Sequence, residues 1–318
     1  MFPLIAKAHH GGRQDDLALL DFSVNSNPLG PNPLLLQAWQ QADLTEYPEP
    51  TYLQTRTALA HWHQVQPDQV VPGVGASELM YRICFALLKP GDGVLSIGSP
   101  FGEFARAVGL CRAKLTVTDR IHPQLKPVRL LYLSNPHNPS GHFVQDLQPL
   151  LEVAEHVLLD EAYLPFLGIH AEGLPDRVIR LQSPGKVHGL VGMRMAYALC
   201  SSEVAEKLIN LQSSWHIPGS LDVVLRHLPE AQNFVERTLP EVRHSAQKLA
   251  AALKVPFCGV PFLLCPMPDT PRLVRFLLDR GMRVRDCSSY GYPDFIRVST
   301  QLEKDVLLLE GIKTFYGS

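Results

Sequence analysis

The stretch LLYLSNPHNPSG, residues 130–141, joins an apolar run to a loop rich in proline, asparagine and glycine. The same arrangement recurs downstream, in VLLDEAY at 157–163 and in VIRLQSPGK at 178–186, and a further apolar run, VLSI, lies upstream at 94–97. Helical spacing of apolar positions covers 77–88 and 144–155. Short apolar runs that alternate with helical patterns are typical of βαβ units. The predicted fold class is therefore α/β, with a mainly parallel sheet flanked by helices.

The pattern changes after about residue 215. A long helical pattern at 229–253 precedes apolar runs at 262–264, 282–284 and 295–298, with helical patterns at 271–280 and from about 303. This order predicts a smaller α+β domain. We predict a large domain over 41–215 and a small domain that combines 1–40 with 216–318.

The composition excludes several classes of protein. With 318 residues, of which 46% are hydrophobic and 19% charged, the chain can bury a sizeable core. The net charge is -2 and basic residues form no run, so nucleic acid is not a predicted partner. Neither a signal peptide nor an apolar run of about 20 residues is visible, so we expect a cytoplasmic protein without a membrane partner. The six cysteines form no C-x-x-C pair, and no metal site is predicted.

Polar residues follow the predicted strands at the points where they end. Ligands of open parallel sheets bind at the carboxyl ends of the strands, because the loops there converge. In addition, GVGAS at 73–77 opens a helix, whose free amides suit a phosphate group. Each element alone is weak, since such a turn usually only reverses the chain and a lone lysine is usually solvated. Four such elements in this order predict one ligand site.

This order of motifs resembles the fold-type I pyridoxal-phosphate enzymes, specifically the class I/II aminotransferase family, over nearly the whole chain. The resemblance implies pyridoxal 5'-phosphate (PLP) as the cofactor, with Lys186 as the lysine that binds it covalently. Asp160 and Tyr163 are the other catalytic residues that it implies, at the pyridine nitrogen and the phenolic oxygen of the cofactor. The implied phosphate contacts are Ala76, Ser77, Ser183 and Arg194, and the implied ring contacts are Asn138 and Phe101.

The resemblance also implies a homodimer with shared active sites, because Tyr47 matches a tyrosine that reaches the phosphate from the neighbouring subunit. The residue types suit these roles. A carboxylate at Asp160 would keep the pyridine nitrogen protonated, and a partly desolvated Lys186 should have a lowered pKa. Arg194 offers a planar fork for phosphate. Gly185 departs from the family pattern, in which a hydroxyl residue often precedes the lysine.

Two relatives within the family compete. His10-Gly11-Gly12, followed by LDFSVNSNPLG at 20–30, resembles the threonine-phosphate decarboxylases of cobalamin side-chain synthesis. Histidinol-phosphate aminotransferases share the Asn-Pro-x-Gly part, and both use two arginines that match Arg285 and Arg297 for the acidic groups of the substrate. The implied substrate contacts are His10, Gly11, Asn25, Arg285 and Arg297. The predicted substrate is thus a small phosphorylated amino acid or amine, with decarboxylation as the first hypothesis and transamination as the alternative.

These residues also have simpler interpretations, and two other protein classes compete with the enzyme. Gly11-Gly12 could be only a flexible turn, and the two arginines could form surface salt bridges. A nicotinamide-dependent dehydrogenase fits poorly, because Glu78 stands at the third glycine position of its fingerprint and the strand at 94–97 ends without an acidic residue. A non-catalytic binding protein with this fold would usually lose the lysine or the acid, and both are present.

Overall fold

A computed structural model describes residues 3–7, 11–12, 20–120, 126–170, 172–173, 175 and 177–317. The strands are β1 (Leu20–Asp21), β2 (Val70–Val74), β3 (Gly93–Ile97), β4 (Lys114–Thr118), β5 (Val128–Ser134), β6 (Ala154–Asp160), β7 (Val178–Gln182), β8 (Met195–Leu199), β9 (Phe262–Pro266), β10 (Met282–Arg283), β11 (Arg285–Asp286) and β12 (Phe295–Ser299). The helices are α1 (Pro33–Gln40), α2 (Leu53–His63), α3 (Ala76–Leu87), α4 (Gly102–Leu110), α5 (Gln148–Val153), α6 (Ser202–Asn210), α7 (Gly219–Arg226), α8 (Gln232–Leu253), α9 (Thr270–Leu278) and α10 (Asp305–Tyr316).

A seven-stranded sheet organises the larger part of the chain, with the order β2-β8-β7-β6-β5-β3-β4. Its pairs from β7 to β4 are parallel, and only β8 runs antiparallel to its two neighbours. The four apolar runs predicted as strands are β3, β5, β6 and β7, so the mainly parallel sheet is confirmed. In this register Ser134 pairs with Asp160 and Asp160 pairs with Leu181, which brings the polar loops after β5, β6 and β7 to one edge.

One predicted helix is largely wrong. The pattern at 144–155 yields only the short helix α5, and Ala154 already pairs with Val128 in the sheet. Val144 lies outside the helix, and both of its backbone groups bond to the side chain of Asn135 at 2.8 Å. Tertiary hydrogen bonds therefore override a helical spacing of apolar residues at both ends of this segment.

The C-terminal part forms a second sheet, in the order β11-β12-β9 with antiparallel pairs, while β1 pairs in parallel with β10. Helices α8, α9 and α10 pack around a separate apolar cluster that includes Phe22, Leu249, Leu273, Ile296 and Leu308. The strands and helices predicted for this region are confirmed, with bounds shifted by a few residues. The N-terminal segment thus contributes Phe22 to a core built mostly from residues beyond 249.

Helices α1 and α7 contact each other and share an apolar cluster with α2, β2 and β8. The cluster includes Leu35 of α1, Leu59 of α2, Tyr197 of β8 and Leu225 of α7, all at most 1% exposed. The division into domains near residues 40 and 215 stays a prediction. Across the described ranges, no helix is both long enough and apolar enough to span a membrane.

Candidate active site

A cavity of about 510 Å³ lies where the loops after β5, β6 and β7 meet the start of α3. Twelve of the predicted site residues line it: Gly11, Asn25, Ala76, Ser77, Phe101, Asn138, Asp160, Tyr163, Ser183, Lys186, Arg194 and Arg297. Parallel strands bring residues that are distant in sequence to one edge, which explains why separate motifs converge here.

The main chain of Lys186 is hydrogen-bonded to the N-terminal segment. Its main-chain oxygen accepts hydrogen bonds from the amide of Asn27 at 2.8 Å and from the hydroxyl of Ser26 at 3.3 Å. Its Nζ lies 5.2 Å from the centre of the Tyr163 ring. Burial lowers the pKa of Lys186, the attraction of Asp160 opposes this shift, and Arg194 and Arg297 add to it. The amine is therefore easier to deprotonate than an ordinary lysine, as a nucleophile requires.

Asp160 ends β6 with its carboxyl group buried. The Tyr132 hydroxyl donates to Oδ2 at 3.1 Å, and the amide of Ala162 donates to Oδ1 at 3.2 Å. Burial raises the pKa of Asp160, while Lys186 and these two hydrogen bonds favour the charged form. A buried carboxylate of this kind binds a protonated ring nitrogen well, because the low dielectric strengthens the ion pair.

The start of α3 has the features of a phosphate site. Gly75 precedes the helix with a φ of 88°, and no side chain caps the first amides of the helix. A Cβ added to Gly75 would lie 2.5 Å from Arg194 Nη2, so only glycine lets the guanidinium approach the turn. Opposite, the Ser183 hydroxyl is buried without a hydrogen-bond partner among the described residues. Free amides, a hydroxyl and a guanidinium together suit a phosphate group.

A second group of side chains joins the N-terminal and C-terminal parts across the cavity. Asn25 Nδ2 donates to the Tyr163 hydroxyl at 3.3 Å. Arg297 donates to Asn138 Oδ1 through Nη1 and to the main-chain oxygen of Ser23 through Nη2, the latter at 2.7 Å. Within the described residues, Asn25 Oδ1 and Arg297 Nε are buried without partners. The wall therefore has an acceptor and a cationic donor to spare for a ligand.

Two of the predicted residues that the structure describes, Tyr47 and Arg285, do not line the cavity. Tyr47 is 77% exposed and stacks on Trp215, with ring centroids 4.5 Å apart. Arg285 pairs with Arg297 across β11 and β12, but its Nη2 donates to Ser289 Oγ at 2.8 Å, and it does not line the cavity. His10 lies outside the described residues.

Sequence reasoning missed Tyr290 and Ser23, which both line the cavity. Tyr290 ends a short turn, Ser288–Tyr290, between β11 and β12, and its ring lies 5.3 Å from the Arg285 guanidinium. The signal that could have indicated Tyr290 is its position in a turn between two strands that carry predicted site arginines. Ser23 Oγ accepts a hydrogen bond from the amide of Gly12 at 2.9 Å. A Cβ added to Gly11 would lie 2.8 Å from the main-chain oxygen of Ser23.

These residues fit PLP. Asp160 suits the ring nitrogen, the turn at Gly75 with Ser183 and Arg194 suits the phosphate, and Lys186 suits the aldehyde. The fit rests on the uncapped start of α3, the partnerless Ser183 hydroxyl and the glycine that lets Arg194 approach. In the part of the chain that the structure describes, no three His, Cys, Asp or Glu side chains are grouped to hold a metal ion.

Comparisons with known proteins show which proteins this chain is similar to. A protein assigned as a threonine-phosphate decarboxylase in Caldanaerobacter subterraneus subsp. tengcongensis is 28% identical over 331 residues, covering 92% of this chain and 89% of that protein. The histidinol-phosphate aminotransferase of Roseiflexus castenholzii is 27% identical over 330 residues, covering 93% and 89%. The crystal structure of histidinol-phosphate aminotransferase from Sinorhizobium meliloti in complex with pyridoxal-5'-phosphate has a TM-score of 0.81 at 21% identity, covering 94% of this chain and 92% of that one.

The structural likeness confirms the predicted fold class. At 21% identity, this likeness is evidence for the fold alone. The model of the family "Aminotransferase class I and II" matches residues 18–308, which is most of the chain. The predicted cofactor is confirmed with the family. The chain belongs to the class I and II aminotransferase family and is a PLP-dependent enzyme.

Proposed function

We propose that this enzyme acts on a small phosphorylated amino acid or amine, and that it decarboxylates L-threonine O-3-phosphate or a close analogue. The observation that carries this proposal is the position of Gly11 and Gly12. They line the cavity against Ser23, on the wall that Arg297 also contacts. Gly11 and Gly12 belong to the motif that distinguishes the two candidate relatives, and their position at the cavity supports the decarboxylase as the first candidate. Such an activity would serve cobalamin side-chain synthesis.

Arg297 is the group that would bind the acidic end of the substrate. It is 5% exposed, and within the described residues its guanidinium pairs with no carboxylate. A buried cation without a counter-ion is costly, and an anionic ligand removes that cost. Asn138 and Ser23 accept hydrogen bonds from two of its nitrogen atoms, and the third, Nε, is buried without a partner among the described residues.

The chemistry divides among the residues of the chain. Bound PLP supplies a cationic ring that stabilises negative charge at the substrate's α-carbon. Asp160 holds the proton at the ring nitrogen, and Arg194 with the start of α3 holds the phosphate. Lys186, with its lowered pKa, can deliver or remove a proton at the α-carbon. The wall around Arg297 would orient the substrate, and that orientation would decide which bond to the α-carbon is weakened.

A histidinol-phosphate-type aminotransferase is the second candidate, and one observation favours it. Of the two predicted substrate arginines, only Arg297 lines the cavity, while Arg285 donates to Ser289. One arginine suits a substrate whose only acidic group is a phosphate. L-threonine O-3-phosphate carries a carboxylate as well, so its recognition would need a second donor beside Arg297, and the Gly12 amide and the Ser23 hydroxyl are already engaged with Ser23 and Asp21.

The test compares two substrates with the PLP-loaded enzyme. L-threonine O-3-phosphate is supplied alone and carbon dioxide is measured, and L-histidinol phosphate is supplied with 2-oxoglutarate and glutamate is measured. Lys186→Ala is the control, and borohydride should attach PLP to the unmodified chain only. Carbon dioxide release supports the decarboxylase, and glutamate formation supports the aminotransferase. If neither product forms, both hypotheses are overturned.

We also propose a homodimer with shared sites, since the exposed Tyr47–Trp215 stack offers a surface from which Tyr47 can reach a partner's phosphate site. Mixing Tyr47→Ala and Lys186→Ala chains tests this. In a hybrid dimer with shared sites, one site carries both changes and the other neither, so activity returns to about a quarter of the wild-type value for random association. If each site uses its own Tyr47, no activity returns. The cytoplasmic location stays a prediction.

A further inference from the structure

Glu78 lies in the first turn of α3, directly below the turn that precedes the helix. Its Oε2 accepts a hydrogen bond from the amide of Val74 at 3.3 Å. A Cβ added to Gly73 would lie 2.7 Å from the same oxygen. The carboxylate is therefore packed against the backbone of 73–75, although Glu78 is not one of the residues that line the cavity.

The same turn also approaches Arg194, whose Nη2 would lie 2.5 Å from a Cβ on Gly75. The Gly73–Gly75 turn, which joins the end of β2 to α3, thus contacts a carboxylate at Gly73 and Val74 and a guanidinium at Gly75. Gly75 itself has a φ of 88°, which glycine adopts more readily than other residues.

Glu78 is in turn fixed by Arg82, whose side chain is only 6% exposed. Arg82 pairs with Glu78 Oε1 through Nε and donates to Oε2 through Nη2 at 3.0 Å. The same guanidinium donates to the oxygen of Pro72 at 3.0 Å and to Gln212 Oε1 at 2.9 Å. This pair therefore connects β2, the turn, α3 and the segment after α6.

His216 adds a further neighbour, with Nε2 3.2 Å from Glu78 Oε2. The Arg82 guanidinium beside Glu78 compensates the charge of the carboxylate. This matters because an uncompensated carboxylate in the first turn of α3 would repel a phosphate dianion. The contribution of Glu78 to phosphate binding is geometric and not one of charge attraction.

We propose that Glu78 is a positioning residue for the cofactor, which aims the free amides of Ala76 and Ser77 and the Arg194 guanidinium at the PLP phosphate by holding the Gly73–Gly75 turn. The proposal does not depend on which reaction the enzyme catalyses. It predicts an effect on phosphate recognition, separate from any general effect on folding.

The test measures equilibrium binding of PLP and of pyridoxal, which lacks the phosphate, to the full chain stripped of cofactor. Glu78→Gln should weaken PLP binding about tenfold while pyridoxal binding stays within about twofold, because a lost charged hydrogen bond costs about that much. Glu203→Gln is the matched control, since Glu203 is also a first-turn glutamate with an i,i+4 partner, Lys207, but on the exposed helix α6.

The ratio of PLP affinity to pyridoxal affinity separates the possible explanations. If Glu78 acted through charge alone, its neutralisation would strengthen PLP binding, and the ratio would rise. If it acted only on overall stability, both ligands would lose affinity equally. Either result overturns the proposal. Glu78→Asp, which keeps the charge but shortens the reach to Val74, should lower the ratio as well, and it serves if the glutamine variant does not fold.

Discussion

Arg297 of β12 donates a hydrogen bond to the side-chain oxygen of Asn138, in the loop after β5. This contact joins the C-terminal sheet to the edge of the parallel sheet at the cavity. It also leaves Nδ2 of Asn138 as the part of that amide that can donate to the phenolic oxygen of the cofactor. In the proposed function, contacts to the substrate and to the cofactor therefore come from one hydrogen-bonded pair of side chains.

Arg297→Ala should raise the substrate's KM at least about tenfold while PLP affinity changes little, because a charge-assisted contact to an acidic group costs several kcal/mol when lost. Steady-state kinetics with L-threonine O-3-phosphate or L-histidinol phosphate, whichever is turned over, measure the effect, and PLP titration measures cofactor affinity. Arg280→Ala, at an exposed arginine stacked on Phe276, is the control. Unchanged kinetics would remove Arg297 from the substrate site.

Asp160→Asn should shift the pH profile of PLP attachment to lower pH. Attachment needs the neutral amine of Lys186, whose pKa burial lowers and Asp160 partly restores. Removing the carboxylate removes the raising influence, so the pKa of Lys186 falls further. The rate of PLP uptake by cofactor-free protein, followed by absorbance across pH, reports the midpoint. Asp146→Asn, at an exposed aspartate, should leave it in place, and an upward shift in Asp160→Asn would contradict this account.

Lowering the pH should destabilise the protein through His188. This side chain is 1% exposed, and burial lowers its pKa to about 4. Between about pH 6.5 and 4 the unfolded state binds a proton that the folded state does not, so stability falls as the pH falls, by roughly 3 kcal/mol over the whole window.

Urea unfolding of the wild type and of His188→Asn at pH 7.5 and 4.5 measures this effect. The variant lacks the titrating group, so its free energy of unfolding should fall less between the two pH values. His61→Gln, at an exposed histidine on α2, should keep the wild-type dependence. If the free energy of unfolding falls equally in His188→Asn and in the wild type between these pH values, His188 is not the group responsible.

Gly75→Ala should weaken PLP binding by about tenfold or more. The substitution puts a side chain into a left-handed conformation, with φ of 88°, and pushes it against Arg194. Gly91→Ala separates the two effects, because Gly91 has a φ of 92° but open space around the added carbon. Both variants should lose about 1 kcal/mol of stability. A similar loss of PLP affinity in both would show that backbone strain, not the contact with Arg194, is responsible.

Much of the cavity could be predicted from local sequence. Asp160, Ser183 and Lys186 each follow an apolar run, and parallel pairing puts the ends of such runs at one edge whatever the details of packing. Ala76 and Ser77 could be predicted for the same reason, because a glycine turn before a helix exposes amides. These positions depend on the strand and helix pattern, which the chain encodes over a few residues at a time.

The rest depended on contacts between distant segments. Arg285 and Arg297 are opposite each other on neighbouring strands, yet only Arg297 reaches the cavity, since Ser289 and Tyr290 engage the other guanidinium. Asn135 pulls Val144 out of a predicted helix. The sequence by itself determined the parallel sheet, the lysine and the carboxylate, because short-range periodicity decides them. Only the tertiary structure decided which arginine lines the cavity, because Arg297 is held there by Ser23 and Asn138, which lie more than a hundred residues away in sequence.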